Sequence, residues 1–192
     1  AKQVGVMMRK HILEARPEDR GHLIAYVRRP DTVDLVPQLH ALDHPVQVYG
    51  LGKQPRFGSV EFREIHPTRF LEDLATASAL VTTAGNQLVG EALYLEKPVF
   101  AVPEPNNREQ DINAHFVRAM GVGEASSAAA LSKARLASFM EKGPFYRARI
   151  NRGRMCGNAV AARIIEDHLS ATFAPEARRL VPATVVSRPA VA

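Results

Sequence analysis

The sequence predicts an α/β fold in which helices cover both faces of a parallel sheet of about six strands. From His22 onward, short apolar segments alternate with stretches in which apolar residues recur at helical spacing. Strands buried on both faces read as continuous apolar runs, and repeated β-α units place such strands in parallel. The composition, with 46% hydrophobic and 23% charged residues, is that of a globular protein. We therefore expect a Rossmann-like, three-layer domain.

Five segments have the apolar character of strands, and helical patterns lie between and after them. The strand segments are 22–27, 46–50, 59–65, 79–84 and 98–103. The helical patterns are 32–42, 67–77, 86–96, 108–121, 128–143 and roughly 145–170. In the pattern at 108–121, Ile112, Phe116 and Met120 recur at four-residue spacing, as they would on one face of a helix.

Three regions of the chain differ in organisation. Residues 1–20 have no clean period and lead into a turn signal, ARPEDRG, which indicates a segment arriving from a preceding domain. Residues 21–170 form the expected Rossmann-like domain. Residues 171–192 contain three prolines and no period, so we expect an irregular or disordered tail. Because the chain does not begin with Met, we expect a processed protein or a piece of a longer one.

The net charge of +5 favours an anionic partner. No aromatic residues interleave with the basic ones, which argues against a nucleic-acid surface and leaves an anionic small ligand or an anionic membrane surface. The single Cys156 excludes an internal disulfide and fits a reducing compartment. No apolar run approaches the ~18 residues of a membrane helix, and no secretory signal opens the chain. We expect a cytoplasmic protein, with peripheral contact to the inner face of the membrane as a further expectation.

Motifs of several other function classes are missing from the sequence. The segment YGLGKQ (49–54) lacks the spacing and the Ser/Thr of a P-loop, and no G-x-G-x-x-G or G-x-S-x-G occurs. The seven His residues are scattered without metal-ligand spacing. We therefore expect neither a metal nor a cofactor.

The turn between the strand at 79–84 and the helix at 86–96 is built of small or polar residues, among them Thr83, Gly85, Asn86 and Gln87. Gly85 would let a ligand approach the backbone closely. The helix that follows offers free N–H groups and a positive dipole end, which suit a phosphate. A plain tight turn would need Gly85 just as much, so the turn alone leaves both interpretations open.

Glu91 is an unusual residue in this helix because it stands among Val89, Ala92 and Leu93. It lies one turn above the helix start, about 6 Å along the axis at 1.5 Å per residue. A ribose attached to a phosphate at the helix start would lie at that distance, and a carboxylate can accept hydrogen bonds from both of its hydroxyls. The alternative is a surface glutamate, or one paired with a cation.

A second turn follows the strand at 98–103 and leads into a helix that opens with Glu109 and Gln110. Acidic residues at a helix start are ordinarily partners of the helix dipole. The functional interpretation is that Glu109 and Gln110 point into the same crevice and hold sugar hydroxyls. Asn113 is expected to be structural and to bond to backbone nearby.

The run from 81 to 123 contains, in order, Gly85, Glu91, Lys97-Pro98-Val99, Pro103, Glu109-Gln110 and Asn113-Ala114. It resembles the donor-binding motif of the two-domain (GT-B) glycosyltransferases, with bacterial MurG-like enzymes and the UDP-sugar transferases of plants and animals as the nearest types. The resemblance covers roughly residues 10–170 and implies the C-terminal, donor-binding half of that architecture.

The resemblance implies a role for each matching residue. Gly85, Asn86 and Gln87 would hold a diphosphate through backbone N–H groups, and Glu91 would bind the ribose. Glu109 and Gln110 would contact the donor sugar.

Two further positions carry less direct implications. Ile65 and His66, at the end of the third strand segment, match the backbone that reads the edge of a uracil. Arg28 occupies the first βα loop, where relatives often have a Gly-rich turn; the sequence here is YVRRPD. Whether Arg28 replaces those phosphate contacts by charge is left open.

The resemblance implies a nucleotide-sugar as substrate, with a family bias to UDP, and an acceptor site on an N-terminal domain or a partner subunit. No general base is identified among these residues, so no catalytic residue is expected in this domain and the chain alone should turn over little. Three alternatives stay open beside a transferase domain: a free-standing donor-binding subunit, a non-catalytic nucleotide-sugar binding module, and a protein like the UDP-sugar 2-epimerases.

Overall fold

A computed structural model of the chain describes residues 4–28 and 35–173. It contains one six-stranded sheet in which every strand pairing is parallel. The strands are β1 (Leu23–Tyr26), β2 (Val46–Tyr49), β3 (Val60–Arg63), β4 (Ala79–Thr82), β5 (Val99–Ala101) and β6 (Gly123–Ala125). Their order across the sheet is β3-β2-β1-β4-β5-β6, the order of doubly wound dinucleotide-binding folds. The predicted fold class and the predicted number of strands are confirmed.

The described residues form nine α-helices. They are α1 (Lys10–Glu14), α2 (Leu35–His40), α3 (Pro67–Thr76), α4 (Asn86–Tyr94), α5 (Arg108–Ala119), α6 (Lys133–Glu141), α7 (Gly143–Arg147), α8 (Arg152–Met155) and α9 (Asn158–Phe173). A 3-10 turn lies at Ala128–Ala130. In the part of the chain that the structure describes, no helix is both long enough and apolar enough to cross a bilayer.

Alternation along the strands divides the core into two layers. Ile24 and Leu80 pack with side chains of α3, α4 and α5 on one face of the sheet. Their neighbours Leu23 and Val81 pack with side chains of α2, α6 and α7 on the other. Each fully buried aliphatic side chain contributes about 2 kcal/mol relative to an exposed one, so the two layers supply most of the driving force for folding.

The chain divides into two compact units, Ala1–Asn158 and Ala159–Ala192. The sheet and its helices up to α8 belong to the first unit. Of the second unit the structure describes α9 as far as Phe173. In the tail predicted to be irregular, 171–192, residues 171–173 instead continue α9, and the rest lies outside the described residues.

Several details differ from the sequence-based expectations. The third strand ends at Arg63, so Ile65 and His66 lie in the loop before α3 and do not end the strand. The stretch 128–143 is broken before α6, where the Ser132 side chain caps the helix by accepting from the backbone N–H of Arg135. The pattern at 145–170 forms three short or medium helices, and the unperiodic residues 1–20 contain the short helix α1.

The face of α5 that carries Ile112, Phe116 and Met120 points to solvent. These side chains are 55%, 53% and 42% exposed, while Ala114 and Val117 are buried against the sheet. The four-residue spacing therefore marks an exposed stripe, and the buried face of α5 is the one that carries Ala114 and Val117.

Lys97 is fully buried, and its ammonium group donates a hydrogen bond to the backbone carbonyl of Glu18. Burial, and then the nearby positive charge of Arg147, lower the pKa of Lys97 to about 8. The lysine thus ties the residues after α1 to the turn before β5.

Burial of Lys97 makes stability depend on pH. Its pKa in the folded state lies below the unfolded value of about 10.4, so the unfolded state binds the proton more tightly between these values. Burial of the charged lysine lowers the free energy of unfolding. This loss is fully present below pH 8 and disappears as the pH rises toward the unfolded pKa. Between pH 8 and 9.5 we expect the free energy of unfolding of the wild type to rise by about 1 kcal/mol relative to Lys97→Met. Urea denaturation of both proteins measures this difference, and parallel pH profiles would contradict it.

Candidate functional site

A cleft of about 650 Å³ opens at the carboxyl ends of β1 and β4. These two strands are neighbours, and the strand order reverses between them, which is where doubly wound sheets bind ligands. Nine of the ten residues singled out by the sequence line this cleft: Arg28, Ile65, Thr83, Gly85, Asn86, Gln87, Glu91, Glu109 and Gln110. His66 does not line it. The fold therefore brings together residues that are up to 82 positions apart.

The turn that leads from β4 into α4 has an unusual backbone. Ala84 takes the left-handed conformation with φ 68°, and its carbonyl accepts a hydrogen bond from the Asn113 side chain at 2.9 Å. Gly85 has φ −63° and ψ 133°, which any residue adopts. No atom lies within 4 Å of the position that a Cβ at Gly85 would occupy. The turn therefore does not need glycine at 85, and the missing side chain leaves open space at the cleft. Asn113 is structural, as expected.

The start of α4 presents unpaired donors to this space. The backbone N–H groups of Asn86, Gln87 and Leu88 have no acceptor among the described residues, and Gly85 provides no side-chain cap. These donors and the positive end of the helix dipole together favour an anion. The site has the properties of a phosphate-binding helix start.

Glu91 is buried, with 1% of its side chain exposed, and it is paired with a cation. The Arg9 Nε donates to Glu91 Oε1 at 2.7 Å and Arg9 Nη2 donates to Oε2 at 2.6 Å. Gln87 Nε2 also donates to Oε1, at 2.8 Å. The hydrogen bond from Arg9 to Glu91 raises the pKa of Arg9. The alternative of a cation-paired glutamate, which the sequence left open, therefore describes the residue in this structure.

The start of α5 holds the second pair of sequence-identified residues. Asn107 caps the helix by accepting from the backbone N–H of Gln110 at 3.2 Å. The Gln110 Oε1 accepts from the backbone N–H of Glu104 at 2.7 Å, so its amide nitrogen is left as a donor. Glu109 is exposed, and its carboxylate has no hydrogen-bond partner among the described residues. Both side chains can serve a ligand with hydroxyl groups.

The opposite wall of the cleft is apolar. Tyr26 and Phe70 meet with ring centroids 5.6 Å apart, and Pro67 and Ile65 continue the wall beside them. The Arg28 guanidinium lies 5.9 Å from the centroid of the Tyr26 ring. A flat apolar surface with a cation at its edge suits an aromatic ring that carries phosphate.

The fold places the side chains of Ile65 and His66 in different surroundings. Ile65 lies at the cleft and is 54% exposed. The His66 side chain instead caps α3, where its Nδ1 accepts from the backbone N–H of Arg69 at 3.5 Å. Any role of His66 at the cleft would have to come from its backbone.

Sequence reasoning missed Arg9, Tyr26, Pro67 and Phe70. Arg9 is 82 residues from Glu91 and lies in a stretch without a period, so no local signal indicated it. Tyr26 and Phe70 had the appearance of ordinary core residues of a strand and a helix. No group of three or more His, Cys, Asp or Glu side chains in the described ranges, 4–28 and 35–173, could hold a metal ion.

A parallel sheet of this order, with a cleft at the point where the order reverses, is the arrangement of doubly wound α/β proteins, a class that binds ligands at the strand ends. The chain belongs to glycosyl transferase family 1, whose family model matches residues 3–144. A curated relative, an uncharacterized glycosyltransferase of Methanopyrus kandleri, is 32% identical over 93 residues, which are 48% of this chain and 24% of the relative.

Solved structures of glycosyltransferases share the fold. The calicheamicin glycosyltransferase CalG4 superposes with a TM-score of 0.61 at 21% identity, over 82% of this chain and 44% of that one. The glycotransferase of kitacinnamycin gives 0.60 at 21% identity, over 87% and 47%. SnogD from Streptomyces nogalater gives 0.53 at 16% identity, over 86% and 46%. The chain spans about half the length of these structures, and the expected GT-B resemblance is confirmed for family and fold.

Removing Arg9 and removing Glu91 should lower the stability of the protein by different amounts. Arg9→Met leaves a buried carboxylate without its cation, whereas Glu91→Gln leaves an arginine that is 49% exposed and can reach water. We expect Arg9→Met to lower the free energy of unfolding by about 3 kcal/mol and Glu91→Gln by about 1 kcal/mol. The double variant should be more stable than Arg9→Met alone. Urea denaturation at pH 7 measures all three, and equal losses for the two single variants would contradict the assignment.

Proposed function

We propose that this chain is the donor-binding domain of a hexosyltransferase and that its cleft binds a nucleotide-diphospho-sugar, with UDP as the nucleotide. The observation that carries the proposal is the convergence of three features on one cleft. These are the unpaired N–H groups at the start of α4, the carboxylate of Glu91 one turn further on, and the polar start of α5. These features would serve the diphosphate, the ribose and the donor sugar respectively, and the diphosphate joins the other two groups in such a ligand.

The diphosphate is assigned to the start of α4. The backbone N–H groups of Asn86, Gln87 and Leu88 would donate to its oxygens, and Gly85 would let it approach because no side chain fills the space in front. Thr83 lines the same end of the cleft and can add a hydroxyl donor.

The ribose is assigned to Glu91. A carboxylate has about four lone-pair sites, and three of those on Glu91 are taken by Arg9 and Gln87. One ribose hydroxyl could therefore bond to Oε2 while Arg9 stays in place. Both hydroxyls could bond only if Arg9 moves away.

The uracil is assigned to the apolar wall, where it would stack near Tyr26 and Phe70 with its polar edge toward the backbone at Ile65 and His66. The donor sugar is assigned to α5, where Glu109 would accept and the Gln110 amide nitrogen would donate. Arg28 would stand at the edge of the wall nearest the phosphates.

Transfer to an acceptor needs more than this cleft supplies. A general base must lie within about 3 Å of the acceptor hydroxyl, and water must be excluded. We assign none of the described residues of the cleft as this general base. Because the chain spans under half of its structural relatives, we propose that an N-terminal acceptor domain or a partner subunit completes the site and that this chain alone has little activity.

Calorimetric titration of UDP, GDP and CMP into this chain tests the proposal. UDP should bind more tightly than GDP and CMP. Glu91→Gln should weaken UDP about tenfold or more, because a hydrogen bond to a charged group contributes about 1.5–3 kcal/mol. Glu72→Gln removes a carboxylate from the exposed side of α3, outside the cleft, and should leave affinity unchanged. The absence of nucleotide binding at millimolar concentration would refute the proposal.

A second titration separates the sugar contact from the nucleotide contacts. Glu109→Ala should lower the affinity for a UDP-hexose about tenfold, because a charge-assisted hydrogen bond to the sugar is lost. The affinity of Glu109→Ala for UDP should equal that of the wild type. An equal loss for both ligands would mean that Glu109 acts on the nucleotide or on the helix start, and not on the sugar.

A further inference from the structure

Arg9 reaches the cleft from the N-terminal segment, defined here as residues 4–9, which precedes the sheet. The backbone of this segment is held firmly. Val6 donates to the Met155 carbonyl at 3.0 Å and accepts from the Gly157 N–H at 2.9 Å. The Asn158 side chain bonds to both the N–H and the carbonyl of Met8, at 2.7 and 2.9 Å. Arg9 therefore starts from a fixed point beside α4.

Three glycines allow the N-terminal segment to lie this close. A Cβ on Gly157 would stand 2.2 Å from the Gly5 carbonyl oxygen, and one on Gly5 would stand 2.9 Å from the Met155 carbonyl oxygen. A Cβ on Gly90 would stand 2.5 Å from the Val6 side chain. The segment is also tied to the cleft itself, because Gln87 donates to the carbonyl of Met7 at 3.0 Å.

The Arg9 side chain is much less constrained than its backbone. It is 49% exposed, and its Nη1 has no hydrogen-bond acceptor among the described residues. Its other two donors hold Glu91. Since Glu91 Oε1 also accepts from Gln87, the guanidinium lies beside a residue of the first turn of α4. Arg9 also lines the cleft together with Asn86 and Gln87, the first two residues of the helix.

The charged side chains that line the cleft balance one another. Within the described residues, the lining contains Arg9 and Arg28 as cations and Glu91 and Glu109 as anions. A nucleoside diphosphate brings at least two negative charges. It also brings two ribose hydroxyls, and both can bond to Glu91 only if Arg9 gives up the lone pairs that it occupies.

We propose that Arg9 exchanges partners when a nucleoside diphosphate binds, leaving Glu91 for the diphosphate and freeing Glu91 for both ribose hydroxyls. The inference rests on the proposed function and deepens it by naming the residue that makes the cleft select a diphosphate. A ligand that has the ribose but no phosphate can bond to Glu91 through one hydroxyl beside Arg9, but it offers Arg9 no anionic partner and so leaves the second hydroxyl without its bond to Glu91. Arg9 thus acts as a specificity-determining residue that the N-terminal segment supplies.

Comparison of UDP with uridine tests the exchange. In Arg9→Met, UDP should bind about ten- to a hundredfold more weakly, because hydrogen bonds between charged partners are lost. Uridine should bind as well as to the wild type or better, because its competitor is gone. Arg9→Lys keeps a cation and should retain most of the preference for UDP. Arg20→Met, a change at an exposed arginine paired with Glu18 outside the cleft, is the matched control and should alter neither affinity.

A measurement on the wild type tests the exchange even if Arg9→Met folds poorly. The ¹⁵N–¹H signal of Arg9 Nε should shift when UDP is added and should shift differently or not at all with uridine. Equal losses of UDP and uridine affinity in a folded Arg9→Met, or an Arg9 signal that UDP leaves unchanged while it binds, would overturn the exchange and leave the proposed function intact. A wild type that binds no nucleotide would overturn both.

Discussion

The binding cleft depends on the position of β1 at the centre of a parallel sheet. β1 pairs with β2 on one side and with β4 on the other, so the strand order runs in opposite directions from this point. The chain that leaves β1 leads to α2 on one face of the sheet, and the chain that leaves β4 leads to α4 on the other. α2 and α4 thus pack on opposite faces of the sheet, and the cleft opens at the ends of the strands that precede them. The residues at the start of α4 that are proposed to bind the diphosphate owe their position to this arrangement.

A buried carboxylate inside that cleft places a requirement on the rest of the chain. An unpaired charge with the exposure of Glu91 would destabilise the fold by several kcal/mol, so a cation must be held nearby. The sheet and α4 supply none, and Arg9 comes from the N-terminal segment. The glycines at 5, 90 and 157 and the Asn158 side chain matter to the cleft for this reason, although none of them lines it. The position of the N-terminal segment therefore determines whether the buried carboxylate of the cleft has a cation beside it.

The sequence predicts most of the fold because the strands of a doubly wound sheet are continuous apolar runs. It fails where the signal is short or is carried by backbone contacts. β6 is only Gly-Glu-Ala, and Gly123 is required there because a Cβ would stand 1.8 Å from the Val99 carbonyl oxygen. The site residues on α4 and α5 could be found because each lies in the first two turns of a helix that follows a strand of the sheet. Arg9 could not, since its pairing with Glu91 spans 82 residues and depends on the tertiary fold.

Ala84 and Gly85 show why a glycine in a strand-to-helix turn cannot be interpreted from sequence alone. The residue that takes the left-handed backbone is Ala84, at a cost of about 1 kcal/mol, and the Asn113 side chain compensates by binding its carbonyl. Gly85, which has the freedom to adopt that conformation, does not use it. A turn built only for geometry would place these two residues in the opposite order. In the order found here, the strained backbone is at Ala84, whose carbonyl is bound by Asn113 of α5. The space without a side chain is at Gly85, next to the start of α4, where an anion would need it.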